Sequence, residues 1–152
     1  AMVDDGLPGS AALHKAMIER FGTLENTAAS VYGAPNPIEV VASFSKSVAE
    51  AANEGDEISI EILRSAAKDL AMNVQAAAQR SKLAGAPFSY STGGGVFNIG
   101  PLLEKPFHDY VAQFLPEAEY QEPLGGAIAG AKIVALDRAL GLEQVTTRVG
   151  SN

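Results

Sequence analysis

The sequence contains no cysteine among its 152 residues. Disulfides, thiolate zinc sites and cysteine-ligated iron–sulfur clusters are therefore excluded within this chain. Long hydrophobic runs are also missing, since the apolar stretches fall far short of the roughly 20 residues that a membrane-spanning helix needs. No signal peptide is recognisable. We therefore expect a cytoplasmic protein that does not enter a membrane.

Positive charge is scarce. Eleven Lys and Arg residues stand against 18 Asp and Glu residues, which gives a formal net charge of −7. No basic face is expected that could displace counterions from a nucleic acid, so nucleic acid is not an expected partner. A nucleotide is still compatible with this charge, because backbone N–H groups and a metal ion can hold it.

The composition is typical of a folded protein, with 47% hydrophobic and 19% charged residues. The length suffices for one domain with its own core. We therefore treat residues 1–152 as a single domain.

The first half of the sequence predicts helices from their capping signals. Ser10 can cap a first helix that ends at Gly22. Asn36 is an N-cap candidate, with Pro37 at the first helical position and Glu39 placed to reach back as in a capping box. That second helix is predicted to continue to the Asn-Glu-Gly segment at 53–55.

Asp56 is predicted to cap a long, alanine-rich helix. Its apolar residues recur at helical spacing along one stripe, consisting of Ile62, Ala66, Leu70, Val74 and Ala77. Small side chains on such a helix allow another element to pack closely against it.

From Gly85 onward the pattern predicts a strand, a glycine turn, a helix over 101–115, a brief strand in "AEYQEP" and a final helix that ends at Gly141. This order indicates a βαβα unit with parallel strands. Two strands do not make a sheet that is stable alone. Either a weakly coded segment such as Thr27–Tyr32 adds a strand, or the chain is part of a larger protein, which we favour.

The segment "STGGGVFNIG" at 91–100 follows the first predicted strand. It lacks the Gly-Lys-Ser/Thr of a Walker A loop and the spacing of a dinucleotide fingerprint. A flexible connection explains three glycines, and so does a ligand that approaches the backbone at the carboxyl end of a parallel strand. The residues alone leave both interpretations open.

Three segments in order resemble one known family. "ASFSKSVAEAANEGDEISIEILRSAAKDLAMNV", then "GGGVFN", then "PLGGAIAGAKIVAL" are similar to the carboxyl-terminal half of the BadF/BadG/BcrA/BcrD-type ATPase family. Among its members, the N-acetylglucosamine and glucosamine kinases are the most similar. The resemblance covers residues 3–142.

The resemblance implies an actin-like, ribonuclease-H-like α/β fold of two domains with ATP and Mg²⁺ in the cleft between them. It implies that Gly93, Gly94 and Gly95 form the adenosine turn and that Asn98 hydrogen-bonds to ribose or adenine. Ala42 matches a small position on the helix that walls the adenine, although core packing also explains it.

The resemblance also implies what this chain lacks. The family's amino-terminal half carries the phosphate loops, the catalytic Asp and the sugar pocket, so we expect no catalytic residue here and no kinase activity from the chain alone. ATP, an amino sugar and the missing half, or a second copy of the chain, are the expected partners. Two alternatives are a fragment of an ATPase activator of a dehydratase or reductase and a non-catalytic helical interaction module.

The remaining candidates favour structural roles. His14 and His108 are the only histidines, they lie far apart in the sequence, and both fall in predicted helices. Asp4 and Asp5 are expected in a solvated loop. The sequence therefore predicts no metal site of its own.

Overall fold

The computed structural model describes residues 9–136. Within them lie seven α-helices, one 3₁₀ helix and two short strands. The helices are α1 (Ala11–Phe21), α2 (Leu24–Tyr32), α3 (Pro37–Ser43), α4 (Ser45–Asn53), α5 (Glu57–Arg80), α6 (Pro101–Phe114) and α7 (Ala127–Leu136); the strands are β1 (Phe88–Tyr90) and β2 (Ala118–Tyr120); the 3₁₀ helix is Gly95–Ile99. The predicted helix end at Gly141 and the pair Asp4–Asp5 lie outside the described residues.

The capping predictions are confirmed. Ser10 Oγ accepts a hydrogen bond from the Leu13 N–H at 2.9 Å, and α1 ends at Gly22. Asn36 Oδ1 accepts one from the Glu39 N–H at 3.3 Å. These side chains satisfy backbone donors that have no partner inside the helix.

Asp56 caps α5 with two hydrogen bonds. Its Oδ1 atom accepts from the Ser59 N–H at 2.8 Å and from the Ser59 hydroxyl at 2.7 Å. These bonds, the one from the hydroxyl first, hold the pKa of Asp56 below its usual range. The fully buried Ser59 side chain is thereby satisfied.

The alternative in which Thr27–Tyr32 adds a strand, which was not the favoured one, is excluded because this segment belongs to helix α2. The prediction of one continuous helix from Asn36 to residues 53–55 is wrong. The helix that starts after Asn36 is interrupted at Phe44, whose N–H bonds to the Val41 carbonyl, three residues back, at 3.0 Å. The interruption leaves Val41 exposed, whereas the ring of Phe44 lies 6.3 Å from that of Phe21.

The core lies between α5 and α6. The buried residues that form it are Ala67, Ala71, Leu103, Phe107 and Val111. The small side chains of α5 let α6 approach closely, as expected. The buried stripe of α5 is displaced from the predicted one by a single position. Leu63, Ala67 and Ala71 are buried, the two alanines in the cluster shared with α6, whereas Ile62 is exposed.

The two strands pair in parallel, which confirms the predicted βαβ order. Phe88 lies opposite Ala118, Ser89 opposite Glu119 and Tyr90 opposite Tyr120, with α6 as the crossover. The described part of the chain is therefore a helix-rich α/β structure with a small parallel sheet. No helix within residues 9–136 combines the length and the apolar character needed to cross a membrane.

Candidate functional site

The glycine loop, defined here as residues 91–95, begins where β1 ends. Its first two residues are tied to β2 and the segment after it. The Ser91 hydroxyl donates to the Gln121 carbonyl at 2.7 Å, and Thr92 Oγ1 lies 3.3 Å from Tyr120 Oη. The loop therefore leaves the carboxyl edge of the parallel sheet, where open α/β sheets place their ligands.

The backbone explains one of the three glycines. Gly94 has φ 96° and ψ 165°, a conformation that is essentially confined to glycine. Neither Gly93 nor Gly95 has a positive φ. A Cβ atom added at any of the three would meet no described atom within 4 Å. The fold thus requires glycine at 94 only, and open space lies beside all three.

The residues after the loop divide between packing and exposure. Phe97 turns inward, with its ring centroid 5.2 Å from that of Phe107 in α6. Asn98, one residue on, is exposed, and its side chain forms no hydrogen bond to residues 9–136. A carboxamide offers two N–H donors and a carbonyl acceptor, so Asn98 is available to a polar ligand beside the loop.

Three polar rings lie next to the loop, and the sequence did not reveal them as a group. Tyr90 Oη lies 2.8 Å from His108 Nδ1. The Tyr120 ring centroid is 4.5 Å from that of His108 and 5.6 Å from that of Tyr90. Burial, with a smaller effect of Tyr120, raises the pKa of Tyr90. The one signal in the sequence for this group was a tyrosine near the end of each predicted strand.

The structure joins Gly93, Gly94, Gly95 and Asn98 in one segment and places Ala42 on a separate helix. Ala42 is exposed on α3, whose main neighbours are α2 and α4. Core packing therefore does not account for its small side chain.

Metal ligands are not gathered in the described part of the chain. Within residues 9–136, no three His, Cys, Asp or Glu side chains lie close enough together to hold a metal ion. His14 is exposed on α1, while His108 bonds to Tyr90. A magnesium ion accompanying a nucleotide takes many of its ligands from phosphates and water, so the open loop is compatible with a magnesium–nucleotide complex.

A parallel sheet whose carboxyl edge opens into a glycine loop beside an exposed carboxamide is compatible with a ligand-binding site of an α/β protein. The sequence model of the BadF/BadG/BcrA/BcrD ATPase family matches residues 10–132, and the chain belongs to this family. Membership indicates that the nucleotide is ATP. No curated protein matches the chain significantly.

Proposed function

We propose that the chain is the adenosine-binding portion of an ATP-dependent amino-sugar kinase that phosphorylates N-acetylglucosamine or glucosamine. In this proposal residues 1–152 form one domain, the carboxyl-terminal half of an actin-like fold. The observation that carries the proposal is the open space beside Gly93, Gly94 and Gly95 at the carboxyl edge of the sheet. Family membership supports ATP as the nucleotide that occupies this space.

Each site residue has a role that suits its chemistry. The bare backbone at 93–95 lets the flat base and the ribose approach without a side chain in between. Asn98 donates to or accepts from a ribose hydroxyl or the adenine edge. Ala42 keeps the wall of the adenine pocket clear because its side chain is a single methyl group.

Catalysis is assigned to residues outside this chain. Phosphoryl transfer needs a base near the acceptor hydroxyl, a metal that bridges the phosphates, and donors around the developing charge. Residues 9–136 hold no cluster of metal-ligating side chains. The proposed amino-terminal half would supply these groups and the sugar pocket, so the chain alone is inactive in this proposal.

A helical interaction module is the second candidate, and a specific observation favours it. Large apolar side chains are exposed on α2, α3 and α7, namely Tyr32, Ile38, Val41, Ile128, Ile133 and Leu136. Such surfaces commonly bind protein partners. Contact with the missing half, or with a second copy, would cover them equally well. An iron–sulfur activator is disfavoured because the chain has no cysteine.

Nuclear magnetic resonance titration tests nucleotide binding at the proposed site. We expect ATP with Mg²⁺ and adenosine to shift the amide signals of residues 93–98, whereas tripolyphosphate with Mg²⁺ does not, because the phosphate loops lie elsewhere. Absence of shifts at 93–98 with both ATP and adenosine would contradict the assignment.

The acceptor is tested in the protein that contains both halves. ADP release with N-acetylglucosamine, glucosamine and glucose measures the preference for an amino sugar. If the protein binds ATP but releases no ADP with either amino sugar, the proposed nucleotide site stands and the proposed kinase activity is wrong.

A further inference from the structure

We infer that Tyr90, His108 and Tyr120 are positioning residues that hold the glycine loop in its binding conformation. This inference rests on the proposed nucleotide site and adds three residues to it. None of the three is required to touch the nucleotide. They act through the loop, which they fix from β1, α6 and β2.

The first contact fixes the start of the loop to the crossover helix. Tyr90 is the last residue of β1, and its Oη lies 2.8 Å from Nδ1 of His108 in α6. When His108 is neutral with its proton on Nε2, Nδ1 accepts the Tyr90 hydroxyl proton. The Tyr90 hydroxyl is protonated at neutral pH, and burial raises its pKa further. The residue just before the loop is thereby tied to the core.

The second contact fixes the loop itself. Tyr120 is the last residue of β2, and its Oη lies 3.3 Å from Thr92 Oγ1. Thr92 immediately precedes Gly93. The Tyr120 ring lies with its centroid 4.5 Å from that of His108, so one imidazole contacts both tyrosines.

Packing alone does not need these polar atoms. Phe97 and Phe107 already fill the apolar space under the loop, with centroids 5.2 Å apart. A phenylalanine at position 90 or 120 would provide the same ring. The hydroxyl groups are what the two tyrosines add: that of Tyr90 reaches His108 in α6, and that of Tyr120 reaches Thr92 in the loop.

Order parameters from backbone ¹⁵N relaxation test the inference without any ligand. Tyr90→Phe and Tyr120→Phe each remove one hydroxyl and keep the ring. We expect order parameters at residues 92–95 to fall from roughly 0.8 toward 0.6 or below. Tyr110→Phe is the matched control, because Tyr110 lies in α6 near His108 but its ring stacks on Phe114. It should leave residues 92–95 unchanged.

Variants of His108 provide a rescue test. In His108→Asn, the Asn Oδ1 atom lies near the position of the His108 Nδ1 atom and can accept the Tyr90 hydroxyl proton. In His108→Leu, a side chain of similar size remains but has no hydrogen-bond acceptor. We expect His108→Asn to keep the loop ordered and His108→Leu to loosen it. Leu is the better helix former, so greater loop motion in the Leu variant is not explained by a weaker α6.

Binding of ATP with Mg²⁺ to the same variants completes the experiment. We expect Tyr90→Phe, Tyr120→Phe and His108→Leu to weaken binding several-fold with only a small decrease in melting temperature, and Tyr110→Phe and His108→Asn to remain close to wild type. Unchanged order parameters in Tyr90→Phe and Tyr120→Phe would overturn the inference. If the loop loosens in Tyr90→Phe and Tyr120→Phe but the wild-type chain binds no ATP, the positioning contacts are confirmed and the nucleotide site is overturned, so the two failures are distinguishable.

Discussion

Tyr90 and Tyr120 lie directly opposite each other in the parallel ladder, with ring centroids 5.6 Å apart. Each is the final residue of its strand. The segments that follow them therefore leave the same edge of the sheet, and Gly93, Gly94 and Gly95 follow Tyr90 after Ser91 and Thr92. This register brings the start of the glycine loop beside the end of β2.

Substitution of Gly94 tests whether a ligand uses the space beside the loop. Gly94→Val adds a branched side chain where φ is 96°, and we expect nucleotide affinity to fall at least about tenfold, equivalent to about 1.4 kcal/mol. Calorimetric titration with ATP measures the affinity, and thermal unfolding measures the stability separately.

Gly85→Val is the matched control for Gly94→Val. Gly85 also has a positive φ, 87°, with no atom within 4 Å of an added Cβ, but it precedes β1. Both variants should lose roughly 1–3 kcal/mol of stability from backbone strain. Gly93→Ala, which carries no such strain, should weaken binding without destabilising the fold. If wild type, Gly93→Ala and Gly94→Val all bind ATP with equal affinity, the segment is an ordinary loop and not a nucleotide site.

Substitutions at two adjacent residues of α5 test which face of this helix is buried in the core. Leu63 is 4% exposed and Ile62 is 43% exposed. Leu63→Ala should therefore cost about 2–5 kcal/mol of unfolding free energy, whereas Ile62→Ala should cost well under half of that. Chemical denaturation of both variants makes the comparison. A larger loss at Ile62 would mean that the core lies on the stripe expected from the sequence.

Glu117 immediately precedes β2, and its carboxylate connects this position with Gly85, which precedes β1. It accepts a hydrogen bond from the Gly85 N–H, and this bond, followed by that of its own backbone N–H, holds the pKa of Glu117 below its ordinary value of about 4.5. A lowered pKa means that the ionised group stabilises the fold above the ordinary value, and that this contribution is lost as pH falls through the folded-state value.

Glu117→Gln should accordingly lower stability near neutral pH and match the wild type in strongly acidic solution. Unfolding in urea across this range measures the difference. Glu119→Gln, an exposed position on β2, is the control and should show no such convergence. A constant difference between Glu117→Gln and wild type at every pH would exclude an electrostatic contribution.

The isolated chain should not phosphorylate amino sugars, because the proposed phosphate loops and catalytic Asp lie outside it. We expect no ADP release above background with ATP, Mg²⁺ and either glucosamine or N-acetylglucosamine. Kinases ordinarily turn over at roughly 1–100 per second. Turnover in that range would show that this chain contains its own catalytic groups.

Local features of the structure were predictable because they depend on neighbouring residues. Ser10, Asn36 and Asp56 each bond to an N–H three residues further on, which their own sequence positions determine. The order of strand, helix and strand after Gly85 followed from the turn signals and apolar spacing, and it implied parallel pairing. Family membership was also indicated by the sequence, and the match to residues 10–132 confirms it.

Features that depend on distant segments required the tertiary structure. Ile62 and Leu63 are both apolar, and only the packing of other elements against α5 decides that Leu63 is buried. The interruption at Phe44 likewise has no local glycine or proline to signal it. His108 and Tyr90 are 18 positions apart, so no spacing rule indicates that their polar atoms meet at 2.8 Å.

The sequence by itself therefore determined the starts of α1, α3, α5 and α6, the βαβ order, the glycine segment and the family. The tertiary structure decided which face of α5 is covered, and it brought Tyr90, His108 and Tyr120 beside the glycine loop. The physical reason is that caps and turns are satisfied within a few residues, whereas burial and long-range hydrogen bonds depend on which surfaces of separate elements meet.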